Sequence, residues 1–155
     1  MTNLLNHLNF AQLLMAYFFR QKLNIADLTV LTAQPKKILI YEPEEYVFAL
    51  YRYYLTAHSF DVYNCPKLSE ARDKVSSWKP HVIIFNADCL SPSTMVQLGR
   101  LFSDLSFDFP GLRLISTGLS GEQQVKELMA MGVSSHINTR FSRPHDLVHI
   151  VRSIL

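Results

Sequence analysis

The sequence predicts a doubly wound α/β fold, a (βα)5 three-layer sandwich around a central parallel five-stranded sheet, carrying an N-terminal helical extension. Three observations lead there. Short, near-continuous apolar runs of the kind that parallel strands need when both faces are covered alternate with segments of helical periodicity. The strand-then-helix unit recurs five times, and such units close by right-handed crossovers into one parallel sheet. Finally, composition breaks at Ala33-Gln34-Pro35-Lys36-Lys37, which divides the chain into an extension, 1–35, and a domain, 36–155.

In the extension, the stretch from Asn3 to Lys22 contains no Gly or Pro and places Leu4, Leu8, Ala11, Met15 and Phe18 on one helical face. Leu5, Phe10, Leu14 and Tyr17 widen that face until more than one side must be buried, against its own domain, a second copy, or both. Leu8 and Met15 are therefore candidate partner contacts, and a homodimer through this helix is expected. The apolar run Phe10–Phe19, broken by Gln12, is half the roughly 20 residues needed to cross a bilayer. With no Lys or Arg before it, it reads neither as a membrane span nor as an export signal.

In the domain, Lys37–Tyr41, His81–Phe85 and Leu112–Ser116 are the strong strand candidates, with Phe60–Asn64 and Val133–Ile137 weaker. Helices are expected over Glu44–Ala57, Lys67–Ser77, Pro92–Asp104, Glu122–Met131 and Pro144–Ile154. Pro92 behind Ser91 fits the first helical position after an N-cap, and Ser120 with Gln123 has capping-box spacing. Gly132 is placed to end its helix in a left-handed conformation.

Composition narrows the function. Apolar residues make up 48% and charged residues 18% of 155, so global disorder is excluded and a partner-covered apolar surface is expected. Fifteen Lys and Arg against thirteen Asp and Glu leave a formal charge of +2 scattered along the chain, without a footprint for nucleic acid. Cys65 and Cys89 form no CxxC and no disulfide framework, which points to the cytoplasm. Enzyme signatures fail: there is no Gly-x-Gly-x-x-Gly or Walker loop, and Gly118-Leu119-Ser120-Gly121 is one residue short of a nucleophile elbow. His145 and His149 form the sole helical i, i+4 histidine pair, with Asp146 on a different side of that helix, so no metal or other cofactor is expected. Cys89 has no basic neighbour in sequence to activate it. Tyr46, Phe48, Tyr51, Tyr53 and Tyr54 spread around their helix, some to pack on the sheet and others to be exposed or covered.

Any site in such a sheet lies at the carboxyl ends of the strands. The residues there are Glu42, Pro43, Glu44 and Glu45, then Asn86 and Asp88, Thr117, and Thr139 with Arg140. From about Lys36 to Leu155 the chain resembles the receiver domain of two-component response regulators, a flavodoxin-like, receiver-like fold. Ile38–Glu42 followed by Pro43-Glu44 is similar to the family's opening strand and acidic pair; Lys79–Asn86 to the strand ending in the phosphoacceptor Asp; Met131–Phe141 to the segment with the family's Lys-Pro pair. Asn86 stands 44 residues after Glu42, and Thr139 stands 22 after Thr117, in keeping with that pattern.

Carried over by position, the resemblance implies a degenerate pocket. Asn86 stands where the nucleophilic Asp would be, and a neutral amide cannot form an acyl phosphate. Pro43 replaces one carboxylate of the metal pair, leaving Glu42 alone, and Thr139 replaces the Lys that would neutralise a phosphoryl group. Thr117 keeps the hydroxyl. The expectation is a pseudo-receiver, non-enzymatic and phosphorylation-incompetent, that signals or scaffolds by binding another protein, its pocket repacked with Asn86 hydrogen-bonded to Thr117 and to the loop after the first strand. The alternative is a module whose altered pocket binds a small ligand or is phosphorylated at a non-standard residue such as Asp88. The family's usual output surface maps onto Glu122–Met131, Val133–Ile137 and Pro144–Ile154, which makes Lys126, His136 and Arg140 candidate partner contacts, His136 at the place of the family's switching aromatic.

Overall fold

The computed structural model describes residues 34–140 and 142–155. Strand and helix alternate without exception: β1 (Lys37–Tyr41), α1 (Glu45–Ala57), β2 (Asp61–Asn64), α2 (Ala71–Trp78), β3 (Val82–Asn86), α3 (Pro92–Asp108), β4 (Arg113–Gly118), α4 (Glu122–Ala130), β5 (Ser135–Asn138) and α5 (Pro144–Ile154). Single 3₁₀ turns, Leu68–Glu70 and Ala87–Cys89, precede α2 and follow β3. All strand pairs are parallel, in the order β2-β1-β3-β4-β5. Residues Lys36–Leu155 make up one unit. The expected helix over Asn3–Lys22, with Leu8 and Met15, lies outside the described residues.

Why the central strands read so clearly follows from their two buried faces. Leu39, Ile83, Phe85 and Leu114 point to the layer of α2, α3 and α4, where Val75, Leu98, Phe102, Leu105 and Leu128 meet them. Their neighbours Ile38, Ile40, Val82, Ile84 and Ile115 point the other way, to Tyr51 and Leu55 of α1 and Leu147, Val148 and Val151 of α5. Period-two alternation with both faces apolar makes the middle of each central strand a continuous apolar run, with polar residues such as Ser116 and Thr117 toward the carboxyl end. The edge strands β2 and β5 are only four residues long and half-exposed, which is why their sequence signal is weak.

The helix ends show where local chemistry decides. Ser91 Oγ accepts from the Thr94 N–H at 3.2 Å with Pro92 in the first turn of α3, as the sequence predicts. That helix runs four residues beyond the expected Asp104 because Leu105 continues its buried face. At the end of α4, Gly132 takes φ +93 while Val133 N–H donates to Leu128 O and Gly132 N–H to Met129 O, a Schellman motif. The same motif ends α1, with Ser59 rather than glycine in the left-handed position at φ 66.

Two expectations are corrected. The N-cap of α4 is Gly121, so Ser120 sits one residue too early, its hydroxyl buried without a hydrogen bond and no capping box formed. Asp146 does not stand apart from the histidine pair: its Oδ1 lies 3.2 Å from His145 Nε2, while its Oδ2 accepts the Arg143 N–H that opens α5. The rings of α1 divide as their spacing implies. Tyr51 is buried and Phe48 and Tyr54 flank the core, whereas Tyr46 and Tyr53 are 75% and 69% exposed.

Candidate functional site

The strand order reverses between β1 and β3, and the register that pairs Tyr41 with Phe85 brings the next residues, Glu42 and Asn86, side by side. Glu42 is only 1% exposed. Its carboxylate is answered by amides: Asn86 Nδ2 donates to Oε2 at 2.9 Å, and the Glu44 N–H donates to Oε1 at 3.0 Å. Asn86 uses its other end to cap the 3₁₀ turn, its Oδ1 accepting the Asp88 N–H at 2.9 Å. Asparagine fits because one side chain must both donate and accept; an aspartate would set a second negative charge against a buried carboxylate.

The expected bond from Asn86 to Thr117 is not formed. Thr117 faces the α1 and α5 layer instead, its hydroxyl donating to the Phe85 carbonyl at 3.5 Å. It lines, with Tyr51, Thr139, Arg143 and Leu147, a cleft of about 200 Å³ between α1 and α5. Thr139 is exposed and its N–H donates to Gly118 O at 3.1 Å. Pro43 and Glu44 are exposed at the rim.

Asp88 is directed away from Asn86. Both its oxygens accept the Leu119 N–H, at 2.8 and 2.9 Å, across to the loop between β4 and α4. Below that loop Ser116 Oγ and His136 Nδ1 are 2.8 Å apart, and His136 Nε2 is buried without a partner. Burial holds His136 below the ordinary imidazole range, opposed in part by Asp88. Among the output-face candidates, His136 is thus half-buried, Lys126 is exposed in an ion pair with Glu122 at 2.8 Å, and Arg140 is exposed with its N–H on Asn138 Oδ1.

The rim carries an anionic field. Burial first, then Glu42, Asp88 and Glu44, push the Cys89 thiol up, so this exposed cysteine is the reverse of activated. Burial likewise raises the Tyr51 phenol, with Glu42 and Asp88 adding to the rise and Thr117 opposing it. The residues do not fit the divalent cation that the fold family implies. Glu42 is the one carboxylate in the pocket and its two oxygens and the Asn86 carbonyl already accept protein N–H groups, the Asn86 NH₂ turned to Glu42 has no lone pair to offer, and Pro43 supplies no side-chain ligand.

Glu42, Asn86, Asp88 and Thr117 are legible in the sequence at one end of the sheet, but Leu119 and the close approach of Gly118 to Asp88, Tyr51 beside Thr117, and Ser116 on His136 are not. No local pattern announces these contacts. A glycine closing a strand candidate, Gly118, is the hint of a close backbone approach.

Sheet order, layers and site placement together define a receiver-type, CheY-like fold. Solved structures of similar form include an orphan response regulator of H. pylori, 9% identical, covering 79% of this chain and 98% of its own at a TM-score of 0.66. A CheY-like protein, TadZ, from Pseudomonas aeruginosa is 18% identical over 77% and 99%, with a TM-score of 0.64. The chemotaxis protein CheY4 of Vibrio cholerae is 14% identical over 78% and 99%, with a TM-score of 0.66. No protein-family model matches the sequence, and no curated protein matches it either.

Proposed function

We propose that residues 36–155 form a phosphorylation-incompetent receiver-like module that acts, without enzymatic activity, by binding another protein as a cytoplasmic signalling or scaffolding component. The observation that carries this is the Glu42–Asn86 pair, which fills the strand-end pocket with mutually satisfied polar groups where a nucleophile and its metal would need free oxygens. The similar structures include response regulators and a chemotaxis protein, which supports a signalling role. The anionic rim opposes a phosphoryl group, and the carboxylate of Asp88, the unorthodox acceptor, is turned to the Leu119 N–H and away from the Glu42–Asn86 pocket. Incubation with Mg²⁺ and a small phosphodonor is expected to leave the intact mass unchanged. A stable adduct of one phosphoryl group, lost in Asp88→Asn, overturns the reading in favour of phosphorylation at Asp88.

Partner binding is assigned to the face of α4, β5 and α5, with Lys126 and Arg140 presented to solvent and His136 as a fixed support. Residues 1–35 are proposed to be a helical extension that joins two copies through the face holding Leu8 and Met15. Sedimentation of the full chain with Leu8→Asp and Met15→Asp is expected to show a smaller assembly than the wild type; identical assembly removes that role. No role in nucleic-acid binding is proposed, given the scattered charge.

A further inference from the structure

The β4–α4 loop has few side-chain anchors of its own. Leu119 is 60% exposed, and the Ser120 hydroxyl makes no hydrogen bond. What holds it is Asp88, thirty-one positions earlier, whose two carboxylate oxygens share the Leu119 N–H at 2.8 and 2.9 Å. A carboxylate on a backbone N–H is a charge-assisted bond, stronger than a neutral one. The approach is close enough to dictate the neighbouring residue. Gly118 lies at φ +141, a dihedral that favours glycine, and a Cβ there would stand 2.6 Å from Asp88 Oδ1, so any other residue would push the Asp88 carboxylate off its bond to Leu119.

We propose that Asp88 is a latch, fixing the entry of α4 and with it the spacing of α3 and α4. These helices enclose an apolar groove of about 530 Å³, with Leu90, Met95 and Val96 on one wall and Gln123, Glu127 and Met131 on the other. Leu90 follows Asp88 by two residues and Gln123 follows Leu119 by four, so the latch ties the two walls together at their heads. At the far end Met131 covers Gly99, close enough that a methyl group there would meet its sulfur at 3.5 Å. With the latch closed, the width of the groove is set inside the chain and needs no added group at Asn86. The latch stands on the loop geometry alone and is independent of the proposed function.

Amide exchange and methyl shifts of the full-length protein test it. In Asp88→Ala, exchange at Leu119 is expected to rise about tenfold or more, as loss of a hydrogen bond to a charged group implies, while Ile83 in β3 stays protected. Asp88→Asn, which keeps one accepting oxygen and the side-chain shape, should fall between. Gly118→Ala should also release Leu119, and combined with Asp88→Ala it should add less than its separate effect, since the atom it strikes is gone. The methyl resonances of Met95 and Met131 should move in both single variants. Unchanged exchange at Leu119 in Asp88→Ala, or a rise shared equally by Ile83, overturns the latch. Still methyl signals beside a released Leu119 overturn its control of the groove.

Discussion

At the ends of β1 and β3 two side chains satisfy each other: Glu42 bonds Asn86 and the Glu44 N–H, and Asn86 bonds the Asp88 N–H in turn. Over β4 and β5 the finish differs. Asp88 reaches across to Leu119, yet Ser120 Oγ and His136 Nε2 are buried without partners. At the first half of the rim the buried carboxylate and its neighbouring amide are closed by hydrogen bonding. The second is held by one carboxylate and by packing, and keeps polar atoms to spare. In a fold whose ligand chemistry belongs at the topological switch point, the switch point is the half that has been sealed.

The largest effect expected from this contrast is Asn86→Asp. It replaces the donor to a buried carboxylate with a second carboxylate, a loss of about 3 kcal/mol at neutral pH by analogy with breaking a buried pair. The sign follows from linkage. One of two adjoining carboxylates keeps its proton in the folded state above the unfolded pKa, so the penalty grows as pH rises past about 4 and fades below it. Denaturant melts at pH 4 and pH 7.5 check this, and a variant as stable as wild type at pH 7.5 removes the sealed pocket. The same substitution is not expected to restore phosphorylation, since Pro43 and Thr139 remain.

Next comes Glu42→Gln, which keeps volume but offers one acceptor to two donors. About 1–2 kcal/mol of stability should be lost, read as a shift in urea midpoint with unchanged slope. A smaller effect is expected from acid acting on the histidines. Burial holds His136 below the ordinary range, and burial with Lys36 and Lys37 does the same for His81, whose Nδ1 accepts the Lys37 N–H at 3.1 Å. Groups with lowered folded pKa values favour the neutral form. Their stability is therefore complete above about pH 6.5, the unfolded value, and is lost as pH falls below it. Melting temperature should drop between pH 7 and pH 5, and less so in His136→Gln. A profile that is flat over that interval contradicts the buried, neutral assignment.

The smallest effect marks the other side of the comparison. Ser120→Ala removes a buried hydroxyl that bonds to nothing, and is expected to change stability by less than about 0.5 kcal/mol or to raise it. A loss above about 1 kcal/mol would show that the second half of the rim is as tightly paired as the first.

Much of this protein is legible without coordinates, and for a physical reason. The middles of β1, β3 and β4 are buried on both faces, so Ile38–Ile40, Val82–Phe85 and Leu114-Ile115 are continuous apolar runs and the run itself is the signal. Helix ends at Ser91-Pro92 and Gly132 are set by chemistry within a few residues and read correctly. Glu42, Asn86, Asp88 and Thr117 are placed at one end of the sheet by strand periodicity alone. What those residues touch is another matter. Whether Asn86 turns to Glu42 or to Thr117, whether Thr117 faces Tyr51, and whether Asp88 lies on Leu119 depend on side-chain direction and on chain segments dozens of residues apart. Ser120 shows the limit at its narrowest: the capping pattern is present, and a start to α4 one residue later, at Gly121, strands its hydroxyl in the interior. The sequence by itself determined the layers and the position of the site, because burial periodicity is local. Only the tertiary structure decided that Asn86 turns to Glu42 at one half and Asp88 to Leu119 at the other, because hydrogen-bond partners across parallel strands and loops are not local.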